Sequence, residues 1–378
     1  MIYLDNNATT RVLPEVREAM LPWLGEHYGN ASSSHALGQR AKQALANARL
    51  CVAQLIGAQP VEILFTSGAT ESNHTAIFSA LSAQPDKKRI VTSAVEHAST
   101  LQLLKYSEKL GVEVVRVPVS ANGALDLPAL REAVNANTAL VTLMHANNET
   151  GVLFPVDEVA EIAHQHGALL HVDAAQTVGK MPLTIKEIAC DLLSFSGHKL
   201  HAPQGVGVLF VRKGLVVDPM FFGHQERNRR GGTENLPGIV GLSVACALVQ
   251  AALSENHIKI AALRDALEQG ILATVPFAYL NGTAVRISNT SNLCFAGLNG
   301  EELLHRLEKN GVIASRGSAC TAGGTEPSHV LLAMGLSREH ALSSLRFSLS
   351  CETTQAEIEA AIHAVQLAVK AMTLQSAA

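Results

Sequence analysis

Two residues in this 378-residue sequence invite chemistry by type and place: Lys199 and Asp173. Lys199 ends Ser196-Gly-His-Lys199, directly after the apolar run Leu192–Phe195 and a glycine turn. A lysine there is an ordinary solvated loop residue unless burial or a nearby cation, such as a protonated His198, depresses its pKa. Depressed, its amine suits a Schiff base with a carbonyl group. Asp173 closes the run Leu169-Leu-His-Val-Asp173, where a carboxylate is costly unless it meets a cation or a metal. A pyridinium nitrogen is one such cation. Lys199 follows Asp173 by 26 residues, enough for one crossover between neighbouring strands. Ser67-Gly-Ala-Thr70 precedes a helical pattern beginning near Glu71, so its backbone N–H groups would face an anion. Alone, that turn reads equally well as a helix cap. Together, the amine, the acid and the phosphate cradle suit pyridoxal phosphate (PLP).

A third kind of residue stands in Ala314-Ser-Arg-Gly-Ser-Ala-Cys-Thr-Ala-Gly-Gly-Thr325. The stretch has almost no large apolar side chain, which predicts an exposed, mobile loop. Cys320 would be accessible in it, with Arg316 nearby to favour the thiolate; the bland alternative is an incidental surface thiol. Cys190, Cys246 and Cys294 sit among apolar neighbours and read as inert core residues. The six cysteines include no zinc-knuckle or C-x-x-C spacing, and His201, three residues after His198, is followed by Ala202-Pro203, against a shared helix face. No metal site is expected. A Rossmann fingerprint fails because Phe210 stands where the third glycine would follow Gly205 and Gly207, and a Walker A loop is absent.

The elements that must hold these groups are legible from apolar runs. Ile63–Phe65, Arg89–Ser93, Val112–Val117, Ala139–Met144, Ala168–Val172, Leu192–Phe195 and Val206–Val211 read as buried strands. Helical patterns alternate with them, including Gln39–Ile56, Leu125–Val134 and Val156–His166. Such alternation predicts an α/β fold with a mostly parallel sheet covered by helices on both faces. Ligands collect at the carboxyl ends of such strands, where Thr66–Thr70, Glu96-His97, His145–Asn148, Asp173–Gln176 and Ser196–Lys199 all fall. Gly238–Leu253, Ile258–Leu272, Glu301–Glu308 and Ala356–Met372 read as further helices, the last three in a smaller C-terminal domain. We expect a large domain over 14–254 and a small one from 1–13 and 255–378.

Composition bounds the function. Charged residues are 16%, the net charge is -4 and aromatics are 4%, which leaves no basic or stacking surface for nucleic acid. Scattered cysteines and an acid at Asp5, where a signal peptide needs apolar residues, fit a reducing cytoplasm. Pro237–Ser254 is uncharged but rich in Gly and Ala, and reads as a buried helix rather than a membrane span.

The chain resembles the cysteine desulfurases of the NifS/IscS type, PLP enzymes of fold type I in the class V aminotransferase family. The likeness rests on Tyr3-Leu-Asp-Asn-Asn-Ala-Thr-Thr10, Phe65–Asn73, Val172–Gln176, Ser194–Lys199, Arg230-Gly-Gly-Thr-Glu-Asn235, Gly317-Ser-Ala-Cys320 and Glu326-Pro-Ser-His329. Gly317–Cys320 is the discriminating motif, and Asn6-Asn7 with Gly197–Pro203 lean toward the NifS branch. The resemblance implies a large domain with a mostly parallel sheet plus a smaller α+β domain, acting as a homodimer. Lys199 would bind PLP and shuttle the substrate Cα proton. Asp173 would pair with the ring nitrogen, His97 would stack on the ring, and Gln176 would bond the ring oxygen. Thr70, Ser196 and His198 would hold the phosphate, joined by Thr233 of a second subunit. Arg346, with Asn148 beside it, would clamp the carboxylate of L-cysteine. Cys320 would take the sulfur as a persulfide for an acceptor or iron–sulfur scaffold protein.

Several positions depart from the family pattern. Arg316 stands where a small or polar residue is usual, His224 and Asn228 where glycine is frequent, and Ala31 where proline is common. Ser350-Cys351 replaces Gly and a larger residue, and Cys351 reads as a packed thiol or a sulfur relay. Selenocysteine lyase or another PLP β-elimination is the competing enzyme reading. A non-catalytic relative of the fold would lack Lys199 or Asp173, and both are present.

Overall fold

A computed structural model describes residues 1–317 and 326–376, so Cys320 lies outside the described residues. Among the described residues seven strands form the main sheet, in the order Ile63–Thr66, Gly207–Val211, Leu192–Ser196, Leu169–Asp173, Thr138–Met144, Arg89–Ser93, Glu113–Val117. All run parallel except Gly207–Val211, which is antiparallel to both neighbours. Each matches an apolar run read from the sequence.

The sheet is buried on both faces, and successive residues serve opposite cores. Ile63, Phe65, Leu193, Val208 and Phe210 pack on one side. Leu64, Leu192 and Leu209 pack on the other, against Ala76, Ile77 and Leu104. Side chains alternate across a strand, so two-sided burial requires an unbroken apolar run. The helices Ala69–Ala83, Ala98–Lys109, Leu127–Ala133 and Val156–Gln165 connect the parallel strands.

A further core gathers Leu4, Phe295, Leu303, Phe347, Ile358 and Val365. Its three-stranded sheet has the antiparallel order Ser344–Ser348, Thr290–Phe295, Ala278–Leu280. The sequence reading divided 238–272 into two helices. The structure joins them into one, Leu236–Thr274, because the polar stretch Ser254–Lys259 lies on positions that are not buried. Its first half buries Ile239, Leu242, Cys246 and Val249 in the large core; its second buries Ile260, Leu263, Leu267 and Ile271 in the further one. The helix is long and apolar enough to cross a membrane by length and composition, yet it serves here as a core helix.

The N-terminal segment ties that further core to the lysine. Ile2–Tyr3 pairs with Val312–Ile313, Asn6 N donates to Ser348 O, and Thr10 N donates to His198 O.

Candidate active site

The polar ends of the parallel strands open into one cavity of about 580 Å³. Thr70, His97, Asn148, Asp173, Gln176, Ser196, His198, Lys199 and Arg346 all line it. Gly317 lines it as well, three residues before Cys320 in the sequence. Thr233 does not. It lines a neighbouring pocket that shares Ser67 and Gly205 with the cavity.

Lys199 sits in a short 3-10 turn after its strand. Its Nζ donates to the carbonyls of Asn7 (2.5 Å) and Ala8 (2.8 Å). Asp173 ends the neighbouring strand and is 8% exposed. Its Oδ2 accepts from Asn73 Nδ2 at 2.6 Å and its Oδ1 from Ala175 N at 3.0 Å. Among the described residues no cation forms an ion pair with this carboxylate. A buried acid of that kind calls for a cationic ligand.

The helix Ala69–Ala83 begins at the cavity wall with no side chain capping its N-terminus. Open N–H groups at a 15-residue helix favour an anion. Close passage of Gly207 makes this possible: a Cβ there would come within 2.5 Å of Gly68 Cα. Across from it, His198 Nδ1 lies 3.1 Å from Thr9 Oγ1. Burial, reinforced by Lys199 and Lys180, pushes the His198 pKa down to about 4. His97 accepts from Ser99 N through Nδ1, which leaves Nε2 as the protonated nitrogen. Burial lowers its pKa too, with Lys199 and His329 adding to the effect against Asp173. Both rings are neutral near pH 7.

Arg346 is 2% exposed. One terminal nitrogen donates to Asn148 O (3.0 Å), the other to Asp5 Oδ1 (2.5 Å), and Nε is buried without a partner. The guanidinium therefore meets the cavity already oriented, with donor capacity left over for a carboxylate. At the rim, Gly317 has φ +85° and lies over Glu149, whose Oε2 would be 2.7 Å from a Cβ at that position. Ser328 Oγ donates to the same oxygen at 2.5 Å, so Glu149 joins residues on both sides of the segment carrying Cys320. Among the described residues no group of three or more His, Cys, Asp or Glu side chains is placed to hold a metal ion.

An uncapped helix N-terminus, an unpaired buried acid and a lysine at one cavity fit PLP. The aminotransferase class-V family model matches residues 2–361. Cysteine desulfurase 2 of Trichormus variabilis is 50% identical over 361 residues, covering 95% of this chain and 90% of the relative. The chain belongs to the cysteine desulfurases of the aminotransferase class-V family. A solved NifS-like protein superposes on this desulfurase with a TM-score of 0.91 at 36% identity, covering 98% of one chain and 99% of the other. A structure described as SspA in complex with cysteine reaches a TM-score of 0.81 at 33% identity, covering 94% and 100%. The desulfurase thus has the fold type I α/β architecture that its sequence motifs imply.

Sequence reasoning missed several residues of the site. Asn7 was noted only as part of a motif, yet it is a hub. Its carbonyl accepts from Lys199 and Gln176, and its side chain meets Asn148, Thr290, Lys180 and Asn289. Asn73, within the cradle motif, proves to be the partner of Asp173. Lys180 carried no signal beyond its position four residues after Gln176.

Proposed function

We propose that this protein is a PLP-dependent desulfurase that converts L-cysteine to L-alanine and holds the released sulfur as a persulfide on Cys320. The observation that carries the reading is convergence: Lys199, Asp173 and Arg346 line one cavity whose rim includes Gly317, the start of the Gly317-Ser-Ala-Cys320 motif. When bound, PLP supplies a carbonyl that condenses with amines and a ring that accepts the electron pair left at Cα. Lys199 holds it and moves the proton at Cα. Asp173 would pair with the ring nitrogen, His97 would stack on the ring and Gln176 would bond the ring oxygen, while Thr70, Ser196 and His198 would hold the phosphate. Arg346 and Asn148 orient the substrate carboxylate.

The Cys320 thiolate attacks the substrate sulfur. A new S–S bond forms on the enzyme, the substrate C–S bond breaks, and the electron pair stays with the carbon fragment. Protonation of that fragment leaves alanine. The enzyme sulfur then passes to an acceptor protein serving iron–sulfur cluster assembly.

The same reading takes the chain as a homodimer of the cytoplasm. Thr233 lies off the cavity of its own chain, which supports its delivery to the phosphate cradle of a second copy. Exposed Leu24, Tyr28, Phe221 and Phe222 supply apolar surface for that contact. Cys51, Cys190, Cys246, Cys294 and Cys351 are free thiols, in keeping with a reducing compartment.

The test is the visible spectrum of the purified protein together with alanine and sulfide release from L-cysteine. Cys320→Ala is expected to keep the PLP absorbance and lose sulfide release. Retained desulfuration in that variant would overturn the persulfide step.

A further inference from the structure

Lys180 lies behind the cavity wall, partly buried, and the chemistry above gives it no task. Its Nζ donates to Gln176 Oε1 at 2.6 Å and to Asn7 Oδ1 at 3.0 Å. Among the described residues it forms no ion pair with a carboxylate. Lys199, Arg346, His198 and His201 lie close enough to act on its charge, His257 Nδ1 lies 3.3 Å from its carbonyl oxygen, and the Cys351 thiol lines the same small pocket. Burial and the two neighbouring cations push its pKa well below the usual lysine range. Two of its N–H groups are used on these two side-chain oxygens, and both bonds require the lysine to donate. An amine kept in such a place at that cost is doing something an apolar side chain could not.

Its contacts say what. An amide can be placed either way round in its site, and its neighbours select the orientation. Lys180 donates, so it selects the oxygen end of Gln176. The Asn7 carbonyl only accepts, so it selects the nitrogen end, which donates to it at 3.1 Å. One N–H of Gln176 is thereby used and the other remains for the cavity that Gln176 lines. Asn7 is fixed in the same manner. Its Oδ1 receives Lys180 and Asn289 Nδ2, so its Nδ2 must donate to Asn148 O and Thr290 Oγ1. The carbonyl of this same Asn7 also receives Lys199 Nζ.

We propose that Lys180 is a positioning residue: it locks the Gln176 and Asn7 amides so that Gln176 meets the cofactor's ring oxygen as an N–H donor. The inference rests on the PLP-dependent reading above. An N–H donor stabilises the anionic ring oxygen and lowers the basicity of the group whose protonation changes the visible band. Loss of the lock therefore moves the pH midpoint of that band upward, whereas a merely structural loss would leave it in place.

The experiment is a double-mutant cycle on the full-length, PLP-loaded protein, reading the pH titration of the visible absorbance. Lys180→Met and Gln176→Leu are each expected to raise the midpoint by about one pH unit, the size of one hydrogen bond to a charged group. The double variant is expected to match Gln176→Leu alone, because Lys180 acts through Gln176. A folded, PLP-binding Lys180→Met protein with an unmoved midpoint would overturn the proposal, as would additive shifts in the double variant. Should Lys180→Met fail to fold, the same cycle is run with Lys180→Gln under the same two criteria. A wild-type protein with no visible band on addition of PLP would instead remove the underlying function, independently of Lys180.

Discussion

The Asn73 side-chain amide donates to Asp173 Oδ2 at 2.6 Å, across 100 residues of sequence and at the buried end of a central strand. Asn73 comes from the first helix after the anion cradle, and Asp173 from the strand Leu169–Asp173. The bond orients a carboxylate that burial alone would penalise.

Asn73→Ala is expected to lower the rate of alanine formation by about 10- to 100-fold, the range for one lost bond to a charged group. Asp173→Ala removes the carboxylate itself and is expected to lower it further. Steady-state alanine release at saturating L-cysteine, compared across both variants, measures the order.

Arg346→Lys replaces a planar fork by a point charge. The lysine cannot hold Asn148 O and Asp5 together and still face the cavity with a second parallel donor. The expected outcome is a rise of roughly 100-fold in KM for L-cysteine, with a smaller change in kcat. Equal loss in kcat with unchanged KM would show that the guanidinium does not bind the carboxylate.

Arg49 and Glu226 form a buried two-pronged ion pair, at 2.7 and 2.6 Å, and Arg49 also lies over the Phe65 ring. Glu226 holds φ at +47°, a left-handed conformation that this contact secures. Arg49→Ala strands the carboxylate and is expected to cost about 3–5 kcal/mol, read from urea unfolding. Replacing both residues, as in Arg49→Met with Glu226→Leu, is expected to cost less than the single change.

Stability should peak in mildly acidic solution. His171 is buried between Thr142 Oγ1 and Ser194 Oγ, both at 2.8 Å, and burial pushes its pKa down to about 4. Burial does the same to His145. Unfolded, a histidine titrates near about 6.5. Between those values the unfolded chain holds more protons, so stability is lost as pH falls from 6.5 toward 4, by about 3 kcal/mol for His171. Glu96 works in the opposite sense: burial pushes it up to about 8, and its folded form holds a proton that the unfolded form has released. Its contribution is lost as pH rises from its ordinary value toward 8. Urea midpoints measured from pH 4.5 to 9 are expected to be highest near about 6.5. Glu96→Gln should flatten the alkaline limb.

The strands were legible because two-sided burial demands continuous apolar runs, and Leu192–Ser196 and Gly207–Val211 announce themselves on that ground. Lys199, Asp173 and the cradle were legible because strand ends concentrate ligand chemistry. The long helix was misread as two because Ser254-Glu255-Asn256-His257 looks like a break, while in three dimensions none of the four is buried and the helix runs on through them from one core to the other. Lys180 and Asn73 were not legible as site residues. Their roles arise from partners as far away as Asn7, 173 positions earlier in the chain, and no local pattern encodes such a meeting.

Leu236–Thr274 has a mechanical consequence. One unbroken rod enters both hydrophobic cores, so neither can swing against the other without bending 39 residues of hydrogen-bonded helix. The frame is stiff by construction, and the two cores keep a fixed relation along its length.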